Sequence, residues 1–281
     1  MPGSQPSIGQ LLATAGIDPF EARLLLAHAL GLTRVQLITK SHEQPGPAQV
    51  LAVRELFARR RAGEPVAYLV GYREFHALRL RVTPDVLIPR PETELLVDLA
   101  SERIDRFVEQ GVEPASLRVL DLGTGSGAIA IALAHLHPGL RVTAVDISAA
   151  ALALARGNAT AHGLDIEFIE GSWFEGLAGR RFDLIVSNPP YVRADDPHLG
   201  QGDLRFEPVG ALTDRFDGLA ALRVLCAQGA AHLLAGGCLL MEHGFDQAVA
   251  VRGLLLDAGF VDVASWVDLA GIERVSGGRV G

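Results

Sequence analysis

The sequence has little cysteine and no long apolar run, and each shortage excludes a class of protein. Among 281 residues there are two cysteines, Cys226 and Cys238. A disulfide scaffold is therefore excluded, and because neither cysteine has a CxxC partner or a histidine at ligand spacing, we expect no metal site. No apolar stretch has membrane-spanning length, and residues 1–6 lack the basic-then-apolar pattern of a signal peptide. We expect a cytoplasmic protein with no membrane attachment.

The composition is that of a globular protein with one large core or two unequal ones. Hydrophobic residues make up 49% of the chain and charged residues 21%, which excludes a disordered chain. The net charge of -8 is uneven, because residues 1–83 hold ten Lys and Arg against six Asp and Glu, and the rest holds 15 against 27. The basic front indicates either an anionic partner or a solvated arginine-rich helix face around Arg59–Arg61. The acidic remainder argues against tracking along nucleic acid.

The spacing of apolar residues changes twice along the chain. Residues 1–70 show helical spacing and a Pro-Gly-Pro break, and they predict a small helical bundle. Residues 71–88 alternate apolar and polar side chains, which predicts a β-hairpin linker. From residue 89 to residue 281, short apolar strands alternate with helices. This alternation predicts a doubly wound α/β domain with a mostly parallel sheet and helices on both faces.

The predicted elements have the following bounds. Helices are expected over residues 8–15, 19–30, 35–39, 47–61, 95–107, 128–136, 149–162, 219–234 and 245–258. Strands are expected over residues 117–121, 141–146, 166–170, 182–187, 237–242 and 261–269. The long segment 192–217 lacks a regular pattern, and we expect it to be a substrate flap that becomes ordered when a partner binds.

A strand, a glycine turn and a helix follow one another over residues 119–129. Gly123, Gly125 and Gly127 let the backbone turn sharply and let a ligand approach the main chain. Their GxGxG spacing differs from the GxGxxG that holds a pyrophosphate. Asp121 brings a carboxylate to the turn, where it would repel a pyrophosphate but suit the cationic end of an amino-acid-bearing cofactor.

Two later residues extend this site. Asp146 ends the next strand, where a carboxylate can accept both hydroxyl protons of a ribose. Trp173 follows another strand and either packs on an adenine ring or caps the core. With the glycine turn, these residues predict a site for S-adenosyl-L-methionine. The alternatives are a tight turn that binds nothing and a nicotinamide site, for which no phosphate cradle is evident.

A buried strand runs directly into Asn188, Pro189, Pro190 and Tyr191. Prolines cannot continue a strand ladder, so a rigid loop must follow the strand, beside the cofactor turn. The planar nitrogen of an amide or a base amine is a poor nucleophile. The Asn188 side-chain carbonyl and the Pro189 main-chain carbonyl can hold its two hydrogens and aim its lone pair at a methyl group, while Tyr191 covers the group. The alternative is a plain proline turn.

The sequence resembles the PrmC/HemK family, the glutamine methyltransferases of peptide chain release factors, over essentially its whole length. The resemblance lies in residues 64–68, 86–94, 121–127, 188–191 and 268–274. Asn-Pro-Pro-Tyr alone is shared with adenine methyltransferases that act on nucleic acid, but Pro-Arg-Pro-Glu-Thr-Glu at 89–94 is more specific. His243 is a departure, since an apolar residue is expected there, but it puts no catalytic role in doubt.

The resemblance implies a seven-stranded Rossmann-like, S-adenosylmethionine-dependent methyltransferase domain behind a helical domain that docks the substrate. It implies methyl transfer to the side-chain amide nitrogen of the glutamine in the Gly-Gly-Gln motif of class 1 bacterial release factors, a protein methylation that serves translation termination. The implied cofactor-binding residues are Gly123, Thr124, Gly125, Ser126, Gly127, Asp146, Trp173 and Asn188. The implied substrate-binding residues are Asn188, Pro189, Pro190 and Tyr191, with Asn188, Pro189 and Tyr191 as catalytic residues.

Two rival functions stay open at this stage. One is an adenine methyltransferase on DNA or RNA, and the other is a protein that senses the cofactor without catalysis. We expect a monomer that binds no nucleic acid directly.

Three smaller predictions concern residues outside these motifs. His243 is expected to be a solvent-facing or hydrogen-bonded loop residue rather than a base. Asp195 and Asp196 are expected in a hydrated loop rather than at a metal. Arg90 and Glu92 either pair near the active site or hold the linker to the core.

Overall fold

The chain divides into two units, and the division is not continuous in sequence. The computed structural model describes residues 5–281. The first unit extends to Tyr72 and includes Gly200–Phe206, while the second consists of Arg73–Leu199 and Glu207–Gly281. Residues 1–4, at the start of the predicted helical domain and of the segment tested for a signal peptide, lie outside the described residues. Over residues 5–281, no helix has both the length and the apolar character needed to cross a membrane.

The first unit is a bundle of short helices. Its helices are α1 (Ile8–Ala13), α2 (Pro19–Leu30), α3 (Arg34–Thr39), α4 (Pro47–Arg61) and α5 (Val66–Val70). The Asp18 side chain caps α2 ahead of Pro19, and Gly31 ends that helix with a left-handed φ of 65°. Leu25 and Phe57 lie in its apolar core. The helical spacing of residues 19–30 and 47–61 gave the bounds of α2 and α4 without error.

The arginine run at the end of α4 has partners inside the first unit. Arg59 forms an ion pair with Glu64 at 2.6 Å. Arg60 pairs with Glu21 at 2.7 Å and with Asp203 at 2.8 Å. Because Asp203 belongs to the segment Gly200–Phe206, α4 holds this distant part of the chain to the first unit. Arg59 and Arg60 therefore pair with carboxylates of the same unit. These ion pairs favour the helix-face interpretation over an anionic partner at these arginines.

Two short strands form a separate two-stranded sheet in the predicted hairpin segment. They are β1 (Tyr72–Phe75) and β2 (Leu78–Arg81). His76 and Ala77 lie between them, and both have positive φ, as tight hairpin turns require. Leu80 and the following Val82 are buried, so the hairpin contributes apolar side chains to a core.

A seven-stranded sheet forms the centre of the second unit. Its strands are β3 (Arg118–Leu122), β4 (Arg141–Asp146), β5 (Glu167–Glu170), β6 (Phe182–Ser187), β7 (Leu233–Glu242), β8 (Val261–Val267) and β9 (Glu273–Arg279). The spatial order is β5-β4-β3-β6-β7-β9-β8. β9 is antiparallel to both neighbours, and the pairs from β5 to β7 are parallel. The helices are α6 (Thr93–Glu109), α7 (Ala128–Leu136), α8 (Ala149–Ala161), α9 (Val209–Leu212), α10 (Ala220–Gly229) and α11 (Ala248–Asp257).

The two faces of the sheet carry separate apolar cores. Successive residues of a strand point to opposite faces, and Leu184 accordingly lies in one core while Ile185 lies in the other. The first core includes buried residues of α6 and α7, and the second includes residues of α10 and α11. The predicted doubly wound arrangement, with helices on both faces, is confirmed.

The strand β9 was missed by the periodicity of the sequence and was implied only by the family resemblance. Its Ser276-Gly277-Gly278 segment reads as a loop because glycine is depleted in strands. A Cβ built on Gly277 would collide with the Leu239 carbonyl oxygen, so close strand packing requires glycine here. β7 also begins at Leu233 rather than at residue 237, since the predicted helix over 219–234 ends early.

The segment 192–217 contains more regular structure than its sequence indicates. It has two short 3₁₀ helices, Pro197–Gly200 and Leu204–Phe206, followed by α9. An isolated parallel bridge joins Val192 to Thr213. Its ordering on partner binding stays a prediction.

Candidate active site

Two loops meet at the carboxyl edge of the sheet, between β3 and β6. The strands are adjacent and parallel, with Leu122 beside Ser187. β3 continues into the glycine turn and β6 continues into Asn188. The topology reverses direction at this pair, which is where open α/β sheets bind ligands. The structure therefore brings the two predicted motifs together, 61 or more residues apart in sequence.

The three glycines of the turn have left-handed backbones but different surroundings. Gly123, Gly125 and Gly127 have φ values of 73°, 55° and 84°, which residues other than glycine rarely adopt. A Cβ on Gly127 would lie 2.8 Å from Ile131 Cδ1, whereas one on Gly125 would meet nothing within 4 Å. Gly127 is thus required by packing against its own helix, and Gly125 faces open space.

Asp121 lies under the turn and is completely buried. Its Oδ2 accepts hydrogen bonds from Thr124 Oγ1 at 2.6 Å and from the Ala130 amide at 3.2 Å. Its Oδ1 has no hydrogen-bond partner among the described residues. Burial raises the pKa of Asp121 to about 7, although the two hydrogen bonds oppose that rise. Asp121 does not line the cleft beside the turn. Its hydrogen-bond partners are Thr124 in the turn and Ala130 in α7.

A cleft of about 320 Å³ opens beside the turn in the second unit. The predicted residues that line it are Gly123, Thr124, Gly125, Ser126, Asp146, Trp173, Asn188 and Pro190. Gly127, Pro189 and Tyr191 do not line it. The wall is mostly apolar, with a few polar groups converging on it, as in small-molecule sites.

Asp146 and Trp173 supply one polar and one aromatic side chain to the wall of the cleft. Asp146 Oδ2 accepts from the Gly125 amide at 2.8 Å, and Oδ1 accepts from the Ser148 amide at 2.9 Å. Burial raises the pKa of Asp146. Trp173 has a left-handed φ of 52° and packs on the second core while also lining the cleft. The core-capping interpretation of this tryptophan is therefore met, and its packing on an adenine ring stays a prediction.

The Asn-Pro-Pro-Tyr turn is held by side chains from two other elements. Asn188 Nδ2 donates to Thr93 Oγ1, at the start of α6, over 3.0 Å. The Tyr191 hydroxyl donates to Glu242 Oε1, at the end of β7, over 2.9 Å. Burial raises the pKa of Tyr191 well above its usual value, so the phenol stays protonated. Tyr191 was expected to cover a ligand, but its side chain is directed to the buried acid.

Residues that the sequence-based prediction missed also form the wall. They lie before and within the first turn of α6, directly before α9, and within α9: Asp85, Pro89, Thr93, Pro208, Gly210 and Ala211. The Pro-Arg-Pro-Glu-Thr-Glu motif at 89–94 was a signal for the first group. Nothing in the local pattern of residues 208–211 distinguished the second group.

Arg90 pairs with Glu207 rather than with Glu92. The Glu207 side chain is fully buried, where its Oε1 accepts from Arg90 and its Oε2 accepts from the Ile88 amide at 3.0 Å. Of the two interpretations of Arg90 and Glu92, pairing with each other is not found, because a buried carboxylate 117 residues away binds the guanidinium. For Arg90 the structure favours the other interpretation, in which it holds the linker to the core. This contact fixes the part of the chain, including Arg90 itself, that lines this side of the cleft.

His243 and the acidic pair in the loop serve local structure. His243 is completely buried, with Nε2 at 2.8 Å from Ser276 Oγ and Nδ1 at 2.9 Å from the Gly244 carbonyl oxygen. It is hydrogen-bonded as expected, but it does not face solvent, and burial lowers its pKa. Asp195 pairs with Arg193 and Asp196 with His198. Within residues 5–281, no cluster of His, Cys, Asp and Glu is arranged to hold a metal ion.

Comparison with known families gives matches in both parts of the chain. A family model of the methyltransferase small domain matches residues 96–201, and a model of the PrmC N-terminal domain matches residues 7–71. The second match covers almost the whole helical bundle.

Similar proteins span nearly the same length. The chain is 52% identical to the release factor glutamine methyltransferase of Burkholderia pseudomallei, over 99% of this chain and 97% of that protein. It is 54% identical to the protein of the same name from Bordetella pertussis, over 95% and 97%. Among solved structures, the T. thermophilus 16S rRNA N2 G1207 methyltransferase in complex with AdoMet and guanosine aligns with a TM-score of 0.54 at 22% identity, over 75% of this chain and 50% of that chain. That likeness concerns the fold alone.

Proposed function

The chain belongs to the release factor glutamine methyltransferases, the PrmC/HemK family, and we propose that it methylates the glutamine of the Gly-Gly-Gln motif in class 1 bacterial release factors. It is an S-adenosylmethionine-dependent protein-glutamine N-methyltransferase. The observation that carries the proposed site is the placement of Asn188, which lines the cleft with its Nδ2 already engaged by Thr93. We assign its carbonyl oxygen to the substrate amide.

The cleft suits the cofactor in shape and in donor set. The open space at Gly125 leaves room for a ligand against the main chain of the turn. Asp146, Trp173 and the turn Gly123–Gly127 would hold it, with the carboxylate of Asp146 toward the ribose hydroxyls and the indole toward the adenine. When bound, S-adenosyl-L-methionine supplies a methyl group on a positively charged sulfur.

The chain's own residues supply orientation rather than acid–base chemistry. In this proposal the two hydrogens of the substrate amide are accepted by the side-chain carbonyl of Asn188, which lines the cleft, and by the main-chain carbonyl of Pro189, which follows it in the turn but does not line the cleft. Two fixed acceptors aim the nitrogen lone pair and stabilise the positive charge that develops on the nitrogen. No strong base is needed, because the amide proton becomes acidic once the nitrogen carries a fourth bond. Pro190 lines the cleft beside this group and helps to exclude water.

We assign release-factor docking to the helical first unit, which the PrmC N-terminal model matches over residues 7–71. The remaining parts of this proposal are a cytoplasmic location, a monomeric state and no direct contact with nucleic acid. The excess of 27 acidic over 15 basic residues beyond residue 83 supports the last point.

A methyl-transfer assay tests the proposal. Purified protein is incubated with methyl-labelled S-adenosylmethionine and a bacterial class 1 release factor, and the loop peptide is sequenced by mass spectrometry. We expect one methyl group on the glutamine side chain, and none on a release factor in which that glutamine is replaced by glutamate. Duplex DNA and structured RNA in parallel reactions should remain unlabelled, and labelling of adenine instead would establish the rival function.

A pair of variants tests the site. Asn188→Ala should reduce turnover by about a hundredfold or more, because two-point orientation is lost, while cofactor binding weakens only partly. The exposed Arg193→Ala, whose partner is Asp195, should retain full turnover. Normal turnover in Asn188→Ala would show that the assigned role is wrong, and cofactor binding with no methylation of any substrate by the wild type would favour a sensor.

A further inference from the structure

The buried acid at the end of β7 lies next to the Asn-Pro-Pro-Tyr turn because of strand register. Met241 pairs with Ser187 on the adjacent parallel strand. The residues that follow them, Glu242 at the end of β7 and Asn188 directly after β6, are therefore neighbours. Glu242 is 1% exposed. Its Oε1 accepts from the Tyr191 hydroxyl, and its Oε2 makes no hydrogen bond within the described part of the chain. An incompletely partnered buried carboxylate is costly, and proteins retain such groups chiefly at functional sites.

Thr93 connects this acid to the asparagine. The Thr93 oxygen accepts from Asn188 Nδ2 at 3.0 Å. A hydroxyl has a single hydrogen, and the bond from Asn188 leaves that of Thr93 unused. Burial raises the pKa of Glu242, and the Thr93 side chain opposes that rise. Glu242 is therefore the acid toward which the Thr93 hydrogen can be directed.

We infer that Glu242 and Thr93 are positioning residues that determine which end of the Asn188 amide faces the substrate. When ionised, the Glu242 carboxylate only accepts, so it draws the Thr93 hydrogen toward itself and leaves a Thr93 lone pair for the Asn188 NH2 group. The Asn188 carbonyl oxygen is thereby turned to the cleft. This inference rests on the proposed function, in which that oxygen accepts a hydrogen from the substrate amide.

The opposite orientation of the amide would present an NH2 group to the substrate NH2 group. Two donors cannot hydrogen-bond to each other, so the lone pair of the substrate nitrogen would not be aimed. Asparagine has two nearly isosteric ends, and the main-chain geometry of a proline turn does not distinguish them. The side-chain network supplies that distinction, and the same acid anchors Tyr191 at the other end of the turn.

The charged groups around Glu242 do not replace this role. Arg274 attracts the carboxylate and Glu92 repels it. On the tyrosine side, Arg274 and Arg90 are the nearby cations. None of these groups hydrogen-bonds to the Asn188 amide, so only Thr93 transmits the state of the acid to the asparagine.

Four variants test the inference in the full-length protein with a release factor as substrate. Thr93→Val keeps the shape and removes the hydroxyl, and we expect kcat to fall about tenfold or more, with KM for the release factor and Kd for the cofactor within about twofold of the wild type. Thr93→Ser should restore most of the loss. Glu242→Gln should lower kcat similarly, because its NH2 group reverses the hydrogen-bond direction, and the double variant should lose little more than the worse single one.

Thr143→Val is the matched control. Thr93 and Thr143 are both 4% exposed, and the Thr143 hydroxyl also contacts a glutamate, Glu167 at 3.0 Å, but does not border the cleft. This control should keep its kcat, and all variants are compared by thermal unfolding. If Glu242→Gln fails to fold, the Val and Ser variants of Thr93 decide the question.

The inference is overturned if Thr93→Val keeps kcat within about twofold, or if its loss is equalled by the control or not recovered by serine. Failure of the proposed function gives a different result, since the wild type itself would then leave the release factor unmethylated.

Discussion

The Ser187 hydroxyl donates a buried 2.7 Å hydrogen bond to the Leu122 carbonyl oxygen. This bond joins the last residue of β6 to the last residue of β3. The Asn-Pro-Pro-Tyr turn begins one residue after Ser187, and the glycine turn begins one residue after Leu122. This side chain thus adds to the pairing of β3 and β6 in setting the relative positions of the two loops that form the cleft.

Ser187→Ala should therefore affect stability and turnover together. Loss of a buried hydrogen bond lowers the free energy of unfolding by about 1–2 kcal/mol, and looser registration of the two loops lowers kcat severalfold. Urea denaturation and the release-factor assay measure the two effects. Ser116→Ala is the control, because Ser116 makes an exposed bond of the same kind to the Glu113 carbonyl at 2.7 Å. Equal effects of the two substitutions would refute a special role for the Ser187 bond.

Two alanine substitutions in the glycine turn should have opposite consequences. Gly127→Ala forces a Cβ to 2.8 Å from Ile131 Cδ1, and overpacking together with a positive φ lowers the free energy of unfolding by roughly 2–3 kcal/mol. Gly125→Ala meets no protein atom, so only the backbone strain of about 1 kcal/mol affects stability. Its methyl group enters the cleft, and cofactor affinity should fall at least about tenfold. Calorimetric titration with S-adenosylmethionine and thermal melts separate the two, and an unchanged Kd in Gly125→Ala contradicts the assigned cofactor position.

Removal of one partner of the Arg90–Glu207 pair should strongly destabilise the folded protein. Arg90→Met leaves the fully buried Glu207 with only the Ile88 amide, and we expect a loss of roughly 3 kcal/mol. The double variant Arg90→Met/Glu207→Leu should lose less, because no buried charge is left. The exposed pair Arg223–Asp217 provides the comparison, since Arg223→Met should cost less than about 1 kcal/mol. Urea midpoints of the three variants measure these differences, and a double variant no more stable than Arg90→Met would contradict the argument.

Stability should fall as the pH is raised toward 8. The pKa of Asp121 is raised from 3.8 to about 7 by burial, so the folded protein binds a proton that the unfolded chain has already lost. The resulting stabilisation is fully present below pH 3.8 and disappears as the pH rises through about 7. Glu242, with a pKa also raised to about 7, acts in the same direction.

Asp121→Asn should reduce the slope of unfolding free energy against pH between 5 and 7 by at least about 1 kcal/mol over that interval. The residual slope comes from other groups, among them Glu242 and Asp146, whose pKa values burial also raises. Denaturation series at several pH values measure it, with Asp195→Asn as an exposed control. A slope that is the same in Asp121→Asn and wild type would exclude Asp121 as its source.

Local signals in the sequence predicted most elements and both loops of the cleft. Asp18 and Pro19 mark the start of α2, the glycine spacing marks the turn after β3, and the prolines at 189–190 mark the end of β6. These are local effects, since caps, prolines and glycines act on backbone angles within a few residues. The same reasoning missed β9, because glycine in a strand is favoured only by the neighbour that packs over it.

The sequence by itself determined that a rigid amide-bearing turn and a glycine turn would end neighbouring strands. Only the tertiary structure decided what holds these turns. The partners of Tyr191 and Arg90 lie 51 and 117 residues away, and residues 200–206 join a unit formed by the other end of the chain. No local sequence pattern predicts such pairings. They depend on which strands become neighbours and on which carboxylates are buried away from water and so need a partner within the protein.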